Sequence, residues 1–194
     1  MYAYLNGKFT HKSPAQVTVD VNGIGFELNI SLNTFSAIQQ LNEGLLYTYL
    51  QVKEDGHVLF GFFDKQEKEM FLLLISVSGV GASTARMMLS SMKADEISKA
   101  IVQGNVKLLE SVKGIGKKTA ERLVLELKDK VGKGTSSSVS SKPAMISIDE
   151  DALNAMVALG ISKNVAEQTI HKIVNSEPQI SSLEELLKKA LRAI

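Results

Sequence analysis

The sequence predicts an α+β protein of several domains: an N-terminal five-stranded β-barrel, a central all-α region, a flexible linker and a C-terminal three-helix region. Three observations support this. Apolar residues recur with a period of two up to about residue 63, and at helical spacings of three and four beyond it. The segment G-K-G-T-S-S-S-V-S-S-K-P then interrupts the helical pattern. We therefore expect domains at 1–63, 64–133 and 148–194, with the linker at 134–147.

The first domain is predicted from strand alternation. Val17, Val19 and Val21 alternate with polar residues, and the following Asn22-Gly23 is the dipeptide that best supplies the positive φ angles of a tight hairpin. Five short strands in so few residues are best closed into an OB-like barrel, which suits nucleic-acid binding or a structural or oligomerisation role. The other elements expected are a strand at Tyr2–Phe9, a strand resuming at Phe26, a helix at Leu32–Leu41 and two strands joined at Glu54-Asp55-Gly56.

The remaining domains are predicted to be helical. Their helices are separated by glycines or polar residues, and serine caps are expected at two of the last three helix starts. A tail of this size on a tether is more typical of a partner-docking unit than of an enzyme. The helices expected are Lys65–Val77, Ser83–Met92, Ala94–Gln103, Val106–Val112 and Lys117–Val131 in the middle, and Asp149–Leu159, Ser162–Val174 and Ser181–Ala193 in the tail.

Composition and charge narrow the classes of function. The absence of cysteine excludes disulfides, thiol catalysis and cysteine-based metal sites, and the three histidines, His11, His57 and His171, lack metal-ligand spacing. We expect no metal and no cofactor. No apolar run is long enough for a membrane span and no signal peptide is indicated, so we expect a cytoplasmic protein. The net charge of +1 divides into −2, +4 and −1 for residues 1–63, 64–133 and 134–194, which permits an anionic partner at the centre or simply a solvated surface.

The middle region contains a repeated motif. V-S-G-V-G-A-S-T-A-R at 77–86 and V-K-G-I-G-K-K-T-A-E-R-L at 112–123 align with Gly79 on Gly114, 35 residues apart. Each copy lies between two predicted helices, so its first glycine can end one helix in the left-handed conformation and its second can begin the next. The unpaired amides at the start of that next helix suit a phosphate oxygen.

The second copy adds charge to this arrangement. Lys117 and Lys118 lie at the predicted helix start, and Lys118 shares a helix face with Arg122. A single such turn is equally compatible with a tight αα-turn beside solvated lysines, whereas two copies with matching Thr and Ala favour phosphate binding. G-I-G-K-K-T is not a nucleotide-binding P-loop, because that motif requires Gly at 111 and Ser or Thr at 118, where this chain has Ser111 and Lys118.

The paired motifs resemble helix-hairpin-helix DNA-binding hairpins. Their position between a barrel and a tethered three-helix tail is similar to that in the RuvA family of bacterial Holliday-junction branch-migration subunits. The resemblance covers essentially all 194 residues and includes V-K-E-D-G-H-V-L-F-G-F at 52–62, K-Q-E-K-E-M-F at 65–71 and A-M-V-A-L-G at 155–160. It implies a non-catalytic subunit, a homotetramer or an octamer, that binds four-way junction DNA and recruits the RuvB hexameric ATPase, with the RuvC junction resolvase as a further partner.

The resemblance also assigns site residues. Glu54 and Asp55 match an acidic pin that would repel phosphates at the junction crossover, although Glu-Asp-Gly is also good turn chemistry. Met156, Leu159 and Ile161 match an apolar motor-binding surface, although Met156 and Leu159 equally suit a core. The DNA-binding residues implied are Gly79, Val80, Gly81, Ser83, Arg86, Gly114, Ile115, Gly116, Lys117, Lys118 and Arg122.

The first hairpin departs from the pattern of the second. Ala82-Ser83 stands where the second has Lys117-Lys118, and Arg86 aligns with Glu121 rather than with a basic residue. We therefore expect the first hairpin to bind DNA chiefly through its backbone and the Ser83 hydroxyl. Recognition of phosphates by these groups would depend on the shape of the DNA and not on its sequence.

A helix-hairpin-helix DNA glycosylase or nuclease is the alternative function. A glycosylase needs a catalytic Asp beyond the hairpin and a base pocket, but Asp129 lies on the same predicted helix as Lys118 with no second half to form that pocket. A nuclease needs clustered carboxylates to bind metal, and Glu54-Asp55 at a turn are too few. An oligomerising scaffold whose tail binds another protein is a third hypothesis, which DNA-binding measurements would distinguish.

Overall fold

The computed structural model describes residues 2–54, 56–134, 148–176, 180 and 182–193, and the chain divides into two compact units, Met1–Ser138 and Val139–Ile194. The first unit contains β1 (Tyr4–Ser13), β2 (Gln16–Val21), β3 (Ile24–Ile30), α1 (Leu32–Ile38), β4 (Glu43–Lys53), β5 (Gly56–Phe62), α2 (Lys65–Ile75), α3 (Ala82–Ser91), α4 (Ala94–Val102), α5 (Val106–Glu110) and α6 (Lys117–Gly134). The second contains α7 (Ile148–Ala158), α8 (Lys163–Ser176) and α9 (Leu183–Arg192). None of the helices in the described ranges combines the length and hydropathy needed to cross a membrane.

The five strands form a closed barrel in the order β1-β2-β3-β5-β4, which confirms the predicted architecture. Neighbouring strands are antiparallel except β3 and β5, which pair in parallel at Asn29↔Phe60 because α1 and β4 intervene between them in the chain. Asn22 and Gly23 have φ angles of 52° and 87° and join β2 to β3, as expected for this dipeptide. The interior is filled by alternate residues of the strands and by Ile38 of α1.

Strand β1 and helix α1 end at residues other than the predicted ones, for identifiable reasons. Strand β1 continues beyond Phe9 to Ser13, since its last residues pair with β2 across a tight connection. Helix α1 ends at Ile38, before the predicted Leu41. The Lys12 ammonium donates hydrogen bonds to three carbonyl oxygens at this end of the helix, those of Ile38, Gln39 and Leu41. A cation at this end of a helix is favourable because the unpaired carbonyls carry partial negative charge.

The barrel and helices α2–α6 have separate apolar cores that meet at strand β5, and both belong to the first compact unit. Phe71 of α2 is fully buried, and its ring centroid lies 4.9 Å from that of Phe62 and 5.2 Å from that of Phe60, both on β5. Strand β5 thus contributes side chains to the helical cluster as well as backbone to the barrel. This contact determines where the helices lie on the barrel.

A buried carboxylate adds a polar link between the same two regions. Glu67 of α2 is 5% exposed and accepts hydrogen bonds from the Ser31 and Thr34 hydroxyls, the latter at 2.5 Å. Ser31 also caps α1 by accepting from the Thr34 amide. Burial raises the pKa of Glu67 above its usual range; the negative charge of Asp64 acts in the same direction, and the hydroxyl hydrogen bonds oppose the rise.

The second unit is a small three-helix module, as predicted. Its core is formed by apolar residues from all three helices, namely Ala152, Met156, Ala166, Ile170, Ile173, Leu186 and Ala190. Ion pairs at i,i+4 spacing, Lys163–Glu167, Lys188–Glu184 and Lys189–Glu185, lie on its surface. The linker predicted at 134–147 lies outside the described residues except for Gly134, the last residue of α6.

Candidate nucleic-acid interface

The two hairpins, residues 76–85 and 111–120, share a hydrogen-bond pattern as well as a sequence. The Ser76 hydroxyl donates to Leu73 O at 2.7 Å, and the Ser111 hydroxyl donates to Leu108 O at 2.7 Å. Three backbone bonds recur at the same offset: Val77 N to Leu74 O and Val112 N to Leu109 O; Val80 N to Val77 O and Ile115 N to Val112 O; Ala85 N to Gly81 O and Ala120 N to Gly116 O. The sequence repeat is therefore a repeat of backbone conformation.

The first glycine of each hairpin reverses the chain. Gly79 and Gly114 both have a φ of +95°, in the left-handed region that residues with a Cβ rarely adopt. The reversal directs the next side chain, Val80 or Ile115, into the helical core, where each is 5% exposed. Their amides are also occupied, by Val77 O and Val112 O. The amides of Gly81 and Gly116, one residue further on, have no such backbone acceptor among the described residues, and the DNA-binding roles of Val80 and Ile115 stay predictions.

The repeated threonines hold the two hairpins side by side. A Cβ built on Gly79 would lie 3.7 Å from Thr119 Oγ1, and one built on Gly114 would lie 3.8 Å from Thr84 Cγ2. Each threonine thus lies beside the glycine of the other copy, so the arrangement of the two hairpins is reciprocal. The alanines that follow the threonines are fully buried. The matching Thr-Ala pairs therefore serve the packing of one hairpin on the other.

The helix starts beyond the hairpins expose unpaired amides. Gly81 precedes α3 and provides no side-chain cap, and Gly116 occupies the same place before α6. The first-turn amides of both helices consequently lack the side-chain acceptor that Ser, Thr, Asp or Asn supplies at most helix starts. These N–H groups and the positive end of the helix dipole favour an anion at each hairpin.

Charge at the two helix starts is unequal. Lys117 and Lys118 are exposed on the first turn of α6 and make no hydrogen bond or ion pair with any residue that the structure describes, whereas the equivalent turn of α3 presents the exposed Ser83. Lys113 is a further exposed cation, directly before Gly114. The equivalent residue of the first copy is Ser78, so this positive charge is not part of the pattern that the two copies share.

Arg122 connects the second hairpin to the first. Its Nη1 donates to Ser78 O, in the tip of the first hairpin, at 3.4 Å, and its Nε lies 3.3 Å from Glu126 Oε1. The side chain is 51% exposed, so the guanidinium stands at the surface between the two hairpins. Because both of its contacts are long and exposed, an arriving phosphate can compete with them.

Arg86 faces the barrel. Its Nη1 donates to Ala15 O and to Asn29 Oδ1, both at 3.0 Å, and the side chain is half-buried there. Ala15 lies in the β1–β2 turn and Asn29 on β3. Both Nη1 protons are thus directed to protein acceptors, in contrast to the exposed lysines of the second hairpin.

Comparisons with known proteins agree with this architecture. The model for the RuvA N-terminal domain matches residues 1–61, that for a SAM-like helix-hairpin-helix tandem matches 71–129, and that for the RuvA C-terminal domain matches 148–194. The Holliday junction branch migration complex subunit RuvA of Cytophaga hutchinsonii is 46% identical over 197 residues, covering 99% of both chains. The proteins of that name from Christiangramia forsetii and Bacteroides thetaiotaomicron are 45% and 41% identical, covering 100% of both chains. The chain belongs to the RuvA family.

The acidic pair Glu54 and Asp55 falls in the chain between β4, which ends at Lys53, and β5, which begins at Gly56. Glu54 is exposed there, and Lys53 pairs with Gly56 on the other side of the turn. Asp55 lies outside the described residues. Within the ranges that are described, no three His, Asp or Glu side chains lie close enough together to hold a metal ion. The role of Glu54 and Asp55 as an acidic pin stays a prediction.

The three tail residues matched to the RuvA motor-binding surface differ in how exposed they are. Met156 is fully buried in the core of the second unit, Ile161 is partly buried against that core, and Leu159 is 64% exposed just after α7. The assignment of Met156 to a binding surface is therefore corrected, because a side chain enclosed by its own helices cannot reach a partner. Leu159 and Ile161 stay predicted contacts.

Proposed function

We propose that this chain is a non-catalytic subunit that binds four-way Holliday junctions and recruits a RuvB hexameric ATPase for branch migration. The curated relatives are named as subunits of a Holliday junction branch migration complex. The observation that carries the proposal is the pair of hairpins held side by side, each ending in an uncapped helix start. Two neighbouring anion sites on one rigid surface suit successive phosphates of a DNA backbone.

Recognition through these groups is independent of base sequence. The amides beyond Gly81 and Gly116 and the ammonium groups of Lys117 and Lys118 bind phosphate oxygens, which every nucleotide presents alike. Arg122 completes the set by exchanging its exposed contacts for a phosphate. Selection among DNA forms then depends on where phosphates lie in space, so an open four-way junction is distinguished from a linear duplex by geometry.

The acidic turn supplies a repulsive contribution to that selection. Glu54 is exposed at the β4–β5 turn and Asp55 follows it in the sequence, and carboxylates disfavour phosphates within about 8–10 Å at physiological ionic strength. In a homotetramer, four copies of this turn meet at the centre and keep continuous duplex away from the crossover. Four identical subunits also match the four arms of the junction, each pair of hairpins binding one arm.

The second unit serves to dock the motor. Leu159 presents an exposed apolar side chain beside Ile161, and exposed apolar groups of this kind are typical of protein-binding surfaces. The ATP-driven step is supplied by the RuvB partner, whose ATPase activity the docked tail stimulates. A RuvC resolvase binding the same junction is a further partner in this proposal.

A titration of the purified chain against a four-way junction and a duplex of equal arm length tests the proposal. We expect tighter binding of the junction and, by native mass spectrometry, four or eight copies of the chain per junction. Equal affinity for both DNAs would refute junction recognition. A complex containing one copy would refute the tetramer while leaving phosphate binding by the hairpins in place.

A further inference from the structure

The first hairpin is joined to the barrel by polar contacts that the second hairpin lacks among the described residues. The Arg86 guanidinium, one turn into α3, reaches across to Ala15 O and Asn29 Oδ1. At the equivalent position of the second hairpin stands Glu121, which is exposed on α6. The two copies therefore differ in their attachment to the barrel as well as in the lysine pair, which only the second copy has.

Helix α3 is also anchored at its other end. The Asn33 side-chain amide donates to Leu89 O at 2.6 Å and to Met92 O at 3.2 Å, and the Leu32 amide donates to the Ser90 hydroxyl at 3.1 Å. With Arg86 at one end and these contacts at the other, α3 cannot turn about its axis without breaking several hydrogen bonds. The orientation of the first hairpin relative to the barrel is consequently determined along the whole helix.

Asn29, one of the two barrel residues that Arg86 contacts, is connected to the acidic turn through strand β5. Asn29 on β3 pairs with Phe60 on β5, and β5 begins at Gly56, immediately after the turn that carries Glu54. Phe60 lies four positions after Gly56 along the strand, a distance of about 13 Å. A paired strand in a closed barrel is stiff, so the position of α3 on the barrel sets the distance between the hairpin amides and the Glu54 carboxylate.

We propose that Arg86 is a positioning residue: it holds the first hairpin against the barrel, and so fixes the spacing between the phosphate-binding amides and the acidic turn, instead of binding DNA itself. The inference rests on the proposed junction-binding function and deepens it. The second hairpin follows the first, because the reciprocal threonine contacts and the Arg122–Ser78 hydrogen bond join the two copies. One arginine thereby orients both phosphate sites, and the first hairpin binds DNA through its backbone.

The salt dependence of binding separates positioning from direct contact. A side chain that neutralises a phosphate contributes about 0.9 to the slope of log affinity against log salt, whereas a positioning residue contributes nothing to it. We therefore compare Arg86→Ala and Asn29→Ala, which remove the two partners of one hydrogen bond, and the double variant. Gln16→Ala, which removes the Gln16–Glu27 hydrogen bond on the outside of the same barrel, is the matched control.

We expect Arg86→Ala and Asn29→Ala each to reduce the ratio of junction to duplex affinity by roughly five-fold, the double variant to lose no more than either, and all salt slopes to match the wild type. The Gln16→Ala ratio should be that of the wild type. A fall of about one in the slope for Arg86→Ala, with a normal ratio for Asn29→Ala, would overturn the inference in favour of direct phosphate contact. An unchanged ratio for Arg86→Ala would also overturn it. If the wild type itself shows no preference for the junction, the proposed function fails independently of these variants.

Discussion

The lysine pair at the start of α6 offers the most direct test of the phosphate site. Replacing Lys117 and Lys118 by alanine removes two exposed cations that have no described protein partner, so folding should be unaffected. Each phosphate contact contributes about 0.9 to the salt slope, and the double variant should lose about 1.8. When the salt concentration rises four-fold, from about 50 to about 200 mM, the ratio of wild-type to variant affinity should therefore fall about twelve-fold.

A matched control uses the same helix. Lys128 and Lys130 are also exposed on α6 and lie ten or more residues beyond Lys118, at least about 15 Å along the axis. Lys128→Ala with Lys130→Ala removes the same charge from the same helix but away from the hairpins. Fluorescence anisotropy with a labelled junction at four salt concentrations measures both slopes. Equal changes in the two double variants would refute the hairpin site and indicate a general charge effect.

Three further outcomes are expected. Glu54→Gln with Asp55→Asn keeps the size of both side chains but removes their charge, so gel-shift titrations should show duplex bound more nearly as well as junction. Glu67→Gln should raise the melting temperature more at about pH 8 than at about pH 5. The Glu67 carboxyl keeps its proton to a higher pH in the folded protein than in the unfolded one. The stability that protonated Glu67 provides is therefore lost as the pH rises from the ordinary pKa of 4.5 to the raised pKa of the folded protein. Leu159→Ala should weaken RuvB binding in a pull-down and leave the circular dichroism melt of the tail unchanged, whereas Met156→Ala should destabilise the tail by about 2–5 kcal/mol.

For each of these three predictions, a specific result would contradict the reasoning. Unchanged selectivity of the Glu54 and Asp55 double variant would remove the acidic turn from junction recognition. A Glu67→Gln protein that kept the pH dependence of the wild type would show that another group controls the loss of stability as pH rises. Normal RuvB binding by Leu159→Ala, with a normal melt, would place the docking surface elsewhere on the tail.

Much of the architecture follows from local patterns in the sequence. The change from period two to helical spacing correctly separated barrel from helices, since side-chain direction alternates in a strand and recurs every three or four residues in a helix. The G-x-G spacing correctly predicted two helix-ending reversals, because a φ of +95° at Gly79 and Gly114 is a local requirement that glycine meets without strain. These features depend on residues within a few positions of one another.

Other features depend on residues that are distant in the chain. Phe71 packs on Phe60 and Phe62 across the predicted domain boundary, and periodicity cannot show that one strand serves two cores. The helical pattern of α7 marks Met156 and Leu159 alike as apolar, and only the packing of α8 and α9 buries the first and leaves the second exposed. The contact of Arg86 with Asn29, 57 residues earlier, has no signal in local spacing.

Local sequence is enough to specify the backbone of the candidate site: two hairpins of the same conformation, each beginning a helix that glycine leaves uncapped. Which groups on those hairpins are available to a ligand depends instead on the packing of distant residues. Val80 and Ile115 are buried, Arg86 is bound to the barrel, and Lys117 and Lys118 stay exposed. The physical reason is that backbone conformation is set by steric preferences within a few residues, whereas the exposure and hydrogen bonding of a side chain are set by whatever the fold brings beside it.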